Sequence, residues 1–299
     1  MLTVENMLAS YGLDLTKNIK IVRHKDEGRI DVVDLYEKGQ IELYQKHQKD
    51  DVFGDCEYVV SFLDFEEGKK AVFIGVYKVL GKANPQKFIA DKYYEWMKPE
   101  YKKGNAYYYE MEKVTGFEEL EDRIIINWSE RTFHMWFAPL KKVKAVRKRK
   151  QFDIIEIIQK GAIRKFPGFL DFSLTYNDLK SLYDNPDVNS TWCKMLSSVA
   201  GIYVILNKKT GKLYVGKANA PGGIGKGGIW GRWESYAKTG HGGNKQLIEL
   251  LENNPEHKQD FLFSILRTLP KTITNDEILD IENIYKEKLG TREFGYNAN

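Results

Sequence analysis

Six side chains stand in an order that could hydrolyse a phosphate ester: Tyr203, Tyr214, Arg232, Tyr236, Glu282 and Asn297. A phosphodiester gains negative charge in its transition state, and a planar guanidinium holds that charge with two hydrogen bonds. Phenols can orient or relay a proton, and a carboxylate set in apolar surroundings calls for a cation partner, which a hard divalent ion would satisfy. Each residue type is common on its own, so the elements that position them decide the matter.

Two strand-like runs, 201–206 and 212–216, flank the turn Asn207-Lys208-Lys209-Thr210-Gly211 and predict a hairpin. Pairing Leu206 with Gly211 sets Tyr203 directly opposite Tyr214, with Ile202, Val204, Leu206, Leu213 and Val215 on the apolar face behind. Arg232 follows a glycine-rich loop and opens a helix in which Tyr236, four residues on, shares its face. A second helix, Asp276 to Leu289, carries Ile278, Ile281, Tyr285 and Leu289 on one arc. Glu282 falls at the edge of that arc, where an unpaired carboxylate is costly. Its partner is a divalent cation or a basic side chain, with Lys286 as the plain alternative.

The segments Gly201-Ile202-Tyr203 and Tyr214-Val215-Gly216, the helix arginine, the later glutamate and a terminal asparagine resemble the GIY-YIG nuclease family over about the last hundred residues. The resemblance implies a three-stranded antiparallel sheet flanked by helices and one Mg²⁺ or Mn²⁺ per active site. Position by position, Tyr203 and Tyr214 match the two family tyrosines, Arg232 the helix arginine and Tyr236 a position taken by His or Tyr. Glu282 matches the metal-binding glutamate and Asn297 the C-terminal asparagine, with Asn299 a weaker candidate. The implied chemistry is in-line attack by water with a tyrosine as base or relay, for which Tyr203 is the expected base and Tyr214 its partner. Lys217 resembles a position beside the phosphate.

One departure is the long loop from Ala218 to Gly231. Its Gly223-Ile224-Gly225-Lys226-Gly227-Gly228 satisfies a dinucleotide-binding spacing, yet the strand before it belongs to a hairpin and no βαβ unit follows. It reads as a mobile DNA-contacting loop that leaves the alignment of Arg232 with the tyrosines open. His241, between glycines, either assists proton transfer or is a turn residue without a role. Asn244 and Lys245 beside it are candidate phosphate contacts.

The 299 residues suffice for two domains, and 42% hydrophobic with 29% charged residues is the balance of a folded globular protein. Runs Tyr58 to Leu63, Ala71 to Leu80, Tyr107 to Met111, Arg123 to Trp128 and Thr132 to Phe137 predict a mostly antiparallel sheet or barrel. A helix near Met1 to Tyr11 and strands at Ile19 to Val22 and Ile41 to Tyr44 precede it. The expected organisation is α+β: a β-rich DNA-recognition domain over 1–150, a helical connector over 151–198 and a nuclease domain over 199–299. The runs around Val76-Tyr77 and Ile126-Asn127-Trp128 faintly resemble PUA-like barrels, and a base pocket would then involve Tyr77, Trp128, His134 and Trp136. Seven of the ten residues from Lys141 to Lys150 are basic, Arg147, Lys148 and Arg149 among them. They serve equally as a phosphate-contacting stripe or a solvated strand edge.

Cys56 and Cys193 have no partners at ligand spacing and read as buried thiols. With a net charge of +4, no long apolar stretch and no leader-like start, a cytoplasmic protein with double-stranded DNA as partner and no membrane is expected. The favoured function is a restriction-type or defence endonuclease, with a homodimer on DNA where both strands are cut. The competing functions are a non-catalytic binder of nucleic acid or modified bases on a nuclease scaffold, and a repair or RNA-directed nuclease.

Overall fold

The computed structural model describes residues 2–26, 30–65, 69–83, 107–128, 134–136 and 152–297. It is a mixed α+β structure that divides into two compact units, Met1–Lys160 and Gly161–Asn299. No helix among the described residues is long and apolar enough to cross a membrane. The basic run with Arg147, Lys148 and Arg149 lies outside the described residues, as does Asn299.

The first unit contains α1 (Val4–Ser10), β1 (Ile19–His24), α2 (Val32–Glu37), α3 (Ile41–Lys46) and β2 (His47–Gln48). It continues with β3 (Tyr58–Phe65), β4 (Lys70–Ala83), β5 (Tyr107–Lys113), β6 (Ile124–Asn127), β7 (His134–Trp136) and β8 (Ile154–Ile157). The strands form one sheet in the order β2-β5-β4-β3-β1-β7, with β6 pairing both β4 and β8. The β1–β3 pair is parallel, whereas β3–β4, β4–β5 and β1–β7 are antiparallel.

Because β1 lies between two strands and is buried along its whole length, its polar residues need internal partners. Arg23 pairs with Asp64 at 3.1 Å, and the His24 Nε2 lies 2.9 Å from Gln45 Oε1. The strand expected at Ile41 to Tyr44 is instead the helix α3. Glu42, Leu43, Gln45 and Lys46 are good helix formers, and the turn buries Ile41 and Gln45, four apart, on one face.

The second unit runs β9 (Leu174–Thr175), α4 (Tyr176–Asp184), α5 (Ser190–Ser198), β10 (Ala200–Asn207), β11 (Leu213–Ala218), α6 (Gly228–Thr239), α7 (Lys245–Asn253), β12 (Phe261–Leu269) and α8 (Asn275–Lys288). Its sheet has four strands in the order β11-β10-β12-β9, one more than expected. The extra strand comes from the segment expected to be a connector. That segment is not a passive link, since Leu179, Leu182, Trp192 and Leu196 share one buried cluster with Tyr203, Trp233 and Phe263. Helix α4 starts at a capping box formed by Thr175 and Asp178, and α8 starts at a second one formed by Thr274 and Glu277.

The hairpin register differs from the expected one. Leu206 pairs with Leu213, so Tyr203 faces Gly216 and Tyr214 faces Ile205. The turn is longer than expected because the Asn207 side chain accepts the amides of Lys209 and Thr210 and holds a closed loop. A shift of two residues leaves each side chain on its original face, so both tyrosines still project together, now diagonally.

Candidate active site

Tyr203 lies across Gly216, its opposite number on β11. A β-carbon at residue 216 would stand 2.4 Å from the Tyr203 hydroxyl oxygen, so the glycine is what lets the ring lie flat on the neighbouring strand. The Tyr203 and Tyr214 ring centroids are 6.3 Å apart, and the Tyr236 centroid lies 6.0 and 6.5 Å from them. Tyr203 and Tyr236 are wholly buried, while Tyr214 is only partly buried.

Arg232 completes this cluster from α6. Its Nη2 donates to the Tyr236 hydroxyl at 3.1 Å, and that hydroxyl is 3.0 Å from the Tyr203 hydroxyl. Its Nη1 donates to the carbonyl of Gly242 at 2.8 Å and to Ser235 Oγ at 2.9 Å. The guanidinium carbon lies 4.8 Å from the Tyr236 ring centroid. Anchored on several sides, the half-buried guanidinium is aimed before any ligand arrives. Gly242 and Ser235 were not foreseen. Ser235 is three residues past Arg232 on the helix and was legible in principle, whereas the Gly242 carbonyl needed the turn geometry.

The electrostatics follow from burial. Removal from water pushes the Tyr203 and Tyr236 phenols well up, with Arg232 pulling both part of the way back. Burial acts to lower the Arg232 pKa, yet the surrounding phenols hold it above its ordinary value. The cluster is therefore a fixed positive charge ringed by neutral hydroxyls.

Glu282 reaches the sheet from the other side. Helix α8 packs Ile278, Ile281 and Tyr285 against Ile202, Val204 and Val215, the face opposite Tyr203. Glu282 is 6% exposed, with Lys286 Nζ at 3.4 Å. Both the plain pairing and the apolar setting are thus present. No group of three or more His, Cys, Asp or Glu side chains able to hold a metal exists among the described residues. What the described residues offer a divalent ion here is the single Glu282 carboxylate, already paired with Lys286, so water and substrate oxygens would have to supply the other ligands.

Asn297 clamps the strand between these groups. Its Oδ1 accepts the Val215 amide at 2.9 Å, and its Nδ2 donates to the Val215 carbonyl at 2.8 Å. It therefore satisfies the open edge of β11 as a neighbouring strand would, and sets Tyr214 and Gly216 on either side.

The secondary candidates separate. Lys217 bonds Asn275 at the start of α8. Asn244 is the N-cap of α7, accepting the Leu247 amide at 2.9 Å, and Lys245 is exposed beside it. His241 Nδ1 accepts the Gly243 amide at 3.0 Å, which puts the proton of a neutral ring on Nε2. The long loop closes on itself through a bridge between Ala220 and Gly228 and so delivers α6 directly after β11. In the first unit Tyr77 and Trp128 are both buried, in different clusters. The side chains of His134 and Trp136 lie outside the described residues.

No protein-family model and no curated protein matches the chain. Among solved structures, the catalytic domain of homing endonuclease I-TevI is 29% identical, over 33% of this chain and 98% of that one, at a TM-score of 0.27. A mutant of the catalytic domain of intron endonuclease I-TevI is 25% identical, over 34% of this chain and 94% of that one, also at a TM-score of 0.27.

Proposed function

We propose that the chain is a metal-dependent endonuclease of the GIY-YIG type that hydrolyses phosphodiester bonds in double-stranded DNA. The observation that carries this reading is the Arg232 guanidinium locked among Tyr203, Tyr214 and Tyr236, a cationic fork with phenols at hydrogen-bonding reach. Such a fork binds a phosphate and stabilises the charge its transition state gathers. Tyr214 is the phenol that meets the attacking water, because it alone of the three reaches solvent. Tyr203 acts behind it, steadying Tyr236 and through it Arg232. The Tyr203 base expected from sequence is replaced here by this division of labour.

Glu282 would hold the single Mg²⁺ or Mn²⁺, which when bound supplies Lewis-acid neutralisation of the phosphate and leaving oxygen. The β-rich first unit would choose the target, and the basic run from Lys141 to Lys150 would contact phosphates without reading sequence. A restriction-type or defence role in the cytoplasm, with transient dimerisation on DNA, is the setting that suits one active site per chain.

The test is digestion of modified and unmodified plasmid and genomic DNA in Mg²⁺ or Mn²⁺. Cleavage should appear, cease with EDTA, and be absent in Glu282→Gln, which keeps the shape and loses the charge. DNA binding without cleavage in either metal would favour the non-catalytic binder, and full cleavage by Glu282→Gln would remove the metal from Glu282.

A further inference from the structure

Residues 219–227 join β11 to α6, and the bridge between Ala220 and Gly228 closes them into a loop with Ile224 at its midpoint. Ile224 is 68% exposed. A lone exposed isoleucine is ordinary and signifies nothing by itself. What distinguishes this one is how firmly a glycine-rich loop presents it.

The loop is tied at every stage. The Gly228 amide donates to Ala220 at 2.9 Å, the Gly227 amide to Gly223 at 3.1 Å and the Gly225 amide to Ser197 Oγ at 2.9 Å. Lys271 Nζ donates to the carbonyl of Gly222. At its foot Gly228 takes a φ of +60°, and a β-carbon there would lie 2.2 Å from the Val199 carbonyl, so the backbone is pressed against the end of α5. Glycine serves close approach here rather than freedom, and the mobile loop expected from sequence is a braced one.

Its neighbours are cations and the proposed catalytic helix. Lys226 and Lys271 are both exposed, and both approach the loop near Gly222. Helix α6 begins at Gly228, which puts Arg232 about 6 Å further along the axis. The loop and Arg232 thus belong to one short stretch of chain, and on a duplex that touched both, the exposed Lys226 and Lys271 would face the phosphates flanking Ile224.

We propose that Ile224 is a DNA wedge, an apolar side chain pressed against a base step beside the scissile phosphate and partly unstacking it. The inference rests on the endonuclease reading and adds to it how the substrate is shaped. Apolar residues on a braced support kink duplexes in this way, and the deformation is easiest at pyrimidine–purine steps. Ile224 would thus impose a preference for TA or CA/TG steps near the cut that no base contact supplies.

The test uses the full chain with intact duplexes of a sequence it cleaves, carrying 2-aminopurine at successive positions around the mapped cut, in Ca²⁺ to hold the complex uncut. The parent should brighten the probe about twofold or more at one step, and Ile224→Met should retain this while Ile224→Ala loses it. Ile224→Ala should also cleave roughly tenfold more slowly, with affinity changed by less than about threefold. Binding and cleavage by the parent without brightening at any step, or brightening that persists in Ile224→Ala, overturns the wedge and leaves the nuclease intact. A parent that neither binds nor cuts duplex DNA defeats the nuclease reading itself.

Discussion

Three phenols surround Arg232, two of them buried and one, Tyr214, partly exposed. Tyr214→Phe should slow single-turnover cleavage about a hundredfold, the scale of losing a group that handles the attacking water. Tyr203→Phe should cost roughly tenfold, because it loosens Tyr236 and Arg232 without touching substrate. Binding measured in Ca²⁺ should be preserved in both variants. A larger loss at Tyr203 would return the base to the buried position. Because burial raises the Tyr203 and Tyr236 phenols, neither ionises near neutrality, and the rate should show no break from them between about pH 6 and 9. A clear loss of rate in His241→Gln with binding preserved would show that this ring joins the proton transfer. Much at this scale was legible from sequence: Glu282 is buried where the helix phase put it, and Arg232 and Tyr236 touch as their four-residue spacing requires. Which tyrosine is hidden was not legible, since burial comes from Trp233, Phe263 and the connector residues packed over Tyr203.

At the scale of elements, the hairpin teaches the limits of counting. Period-two alternation put Tyr203 and Tyr214 on one face whatever the turn, but the Asn207-centred turn decided which residues oppose each other. The resulting contact is demanding. Gly216→Ala should lower stability by about 1–3 kcal/mol through overpacking and displace the Tyr203 ring, with cleavage falling more than binding. Thermal unfolding and single-turnover rates check this together, and parental values for both would mean that the ring moves aside freely. Helix α3 shows the other failure. Ile41 to Tyr44 looked strand-like over four residues, too short a window to separate the two periods. Strand β9 is shorter still, two residues whose pairing with β12 carries no sequence signature of its own.

At the scale of the molecule, two compact units predict two unfolding transitions rather than one. They should respond differently to acid, because the first unit buries His24 in the neutral form. Burial lowers its pKa from the ordinary 6.5 to about 4. Below pH 6.5 the unfolded chain takes up a proton that the folded unit refuses. Stability fully present above that pH is therefore lost as pH falls towards 4, by about 3 kcal/mol in all. Calorimetry from pH 7.5 to 4.5 should show the first unit's transition dropping, and His24→Gln should flatten the slope. An equal slope in that variant would place the acid sensitivity elsewhere. The second unit carries a different kind of dependence, in time. Asn297 holds Val215 across 82 positions of chain, so at about 5–20 residues per second the strand bearing Tyr214 waits roughly 4–16 seconds on the ribosome for its clamp. A nascent chain therefore carries the strand bearing Tyr214 unclamped until Asn297 has been made and has folded back onto Val215.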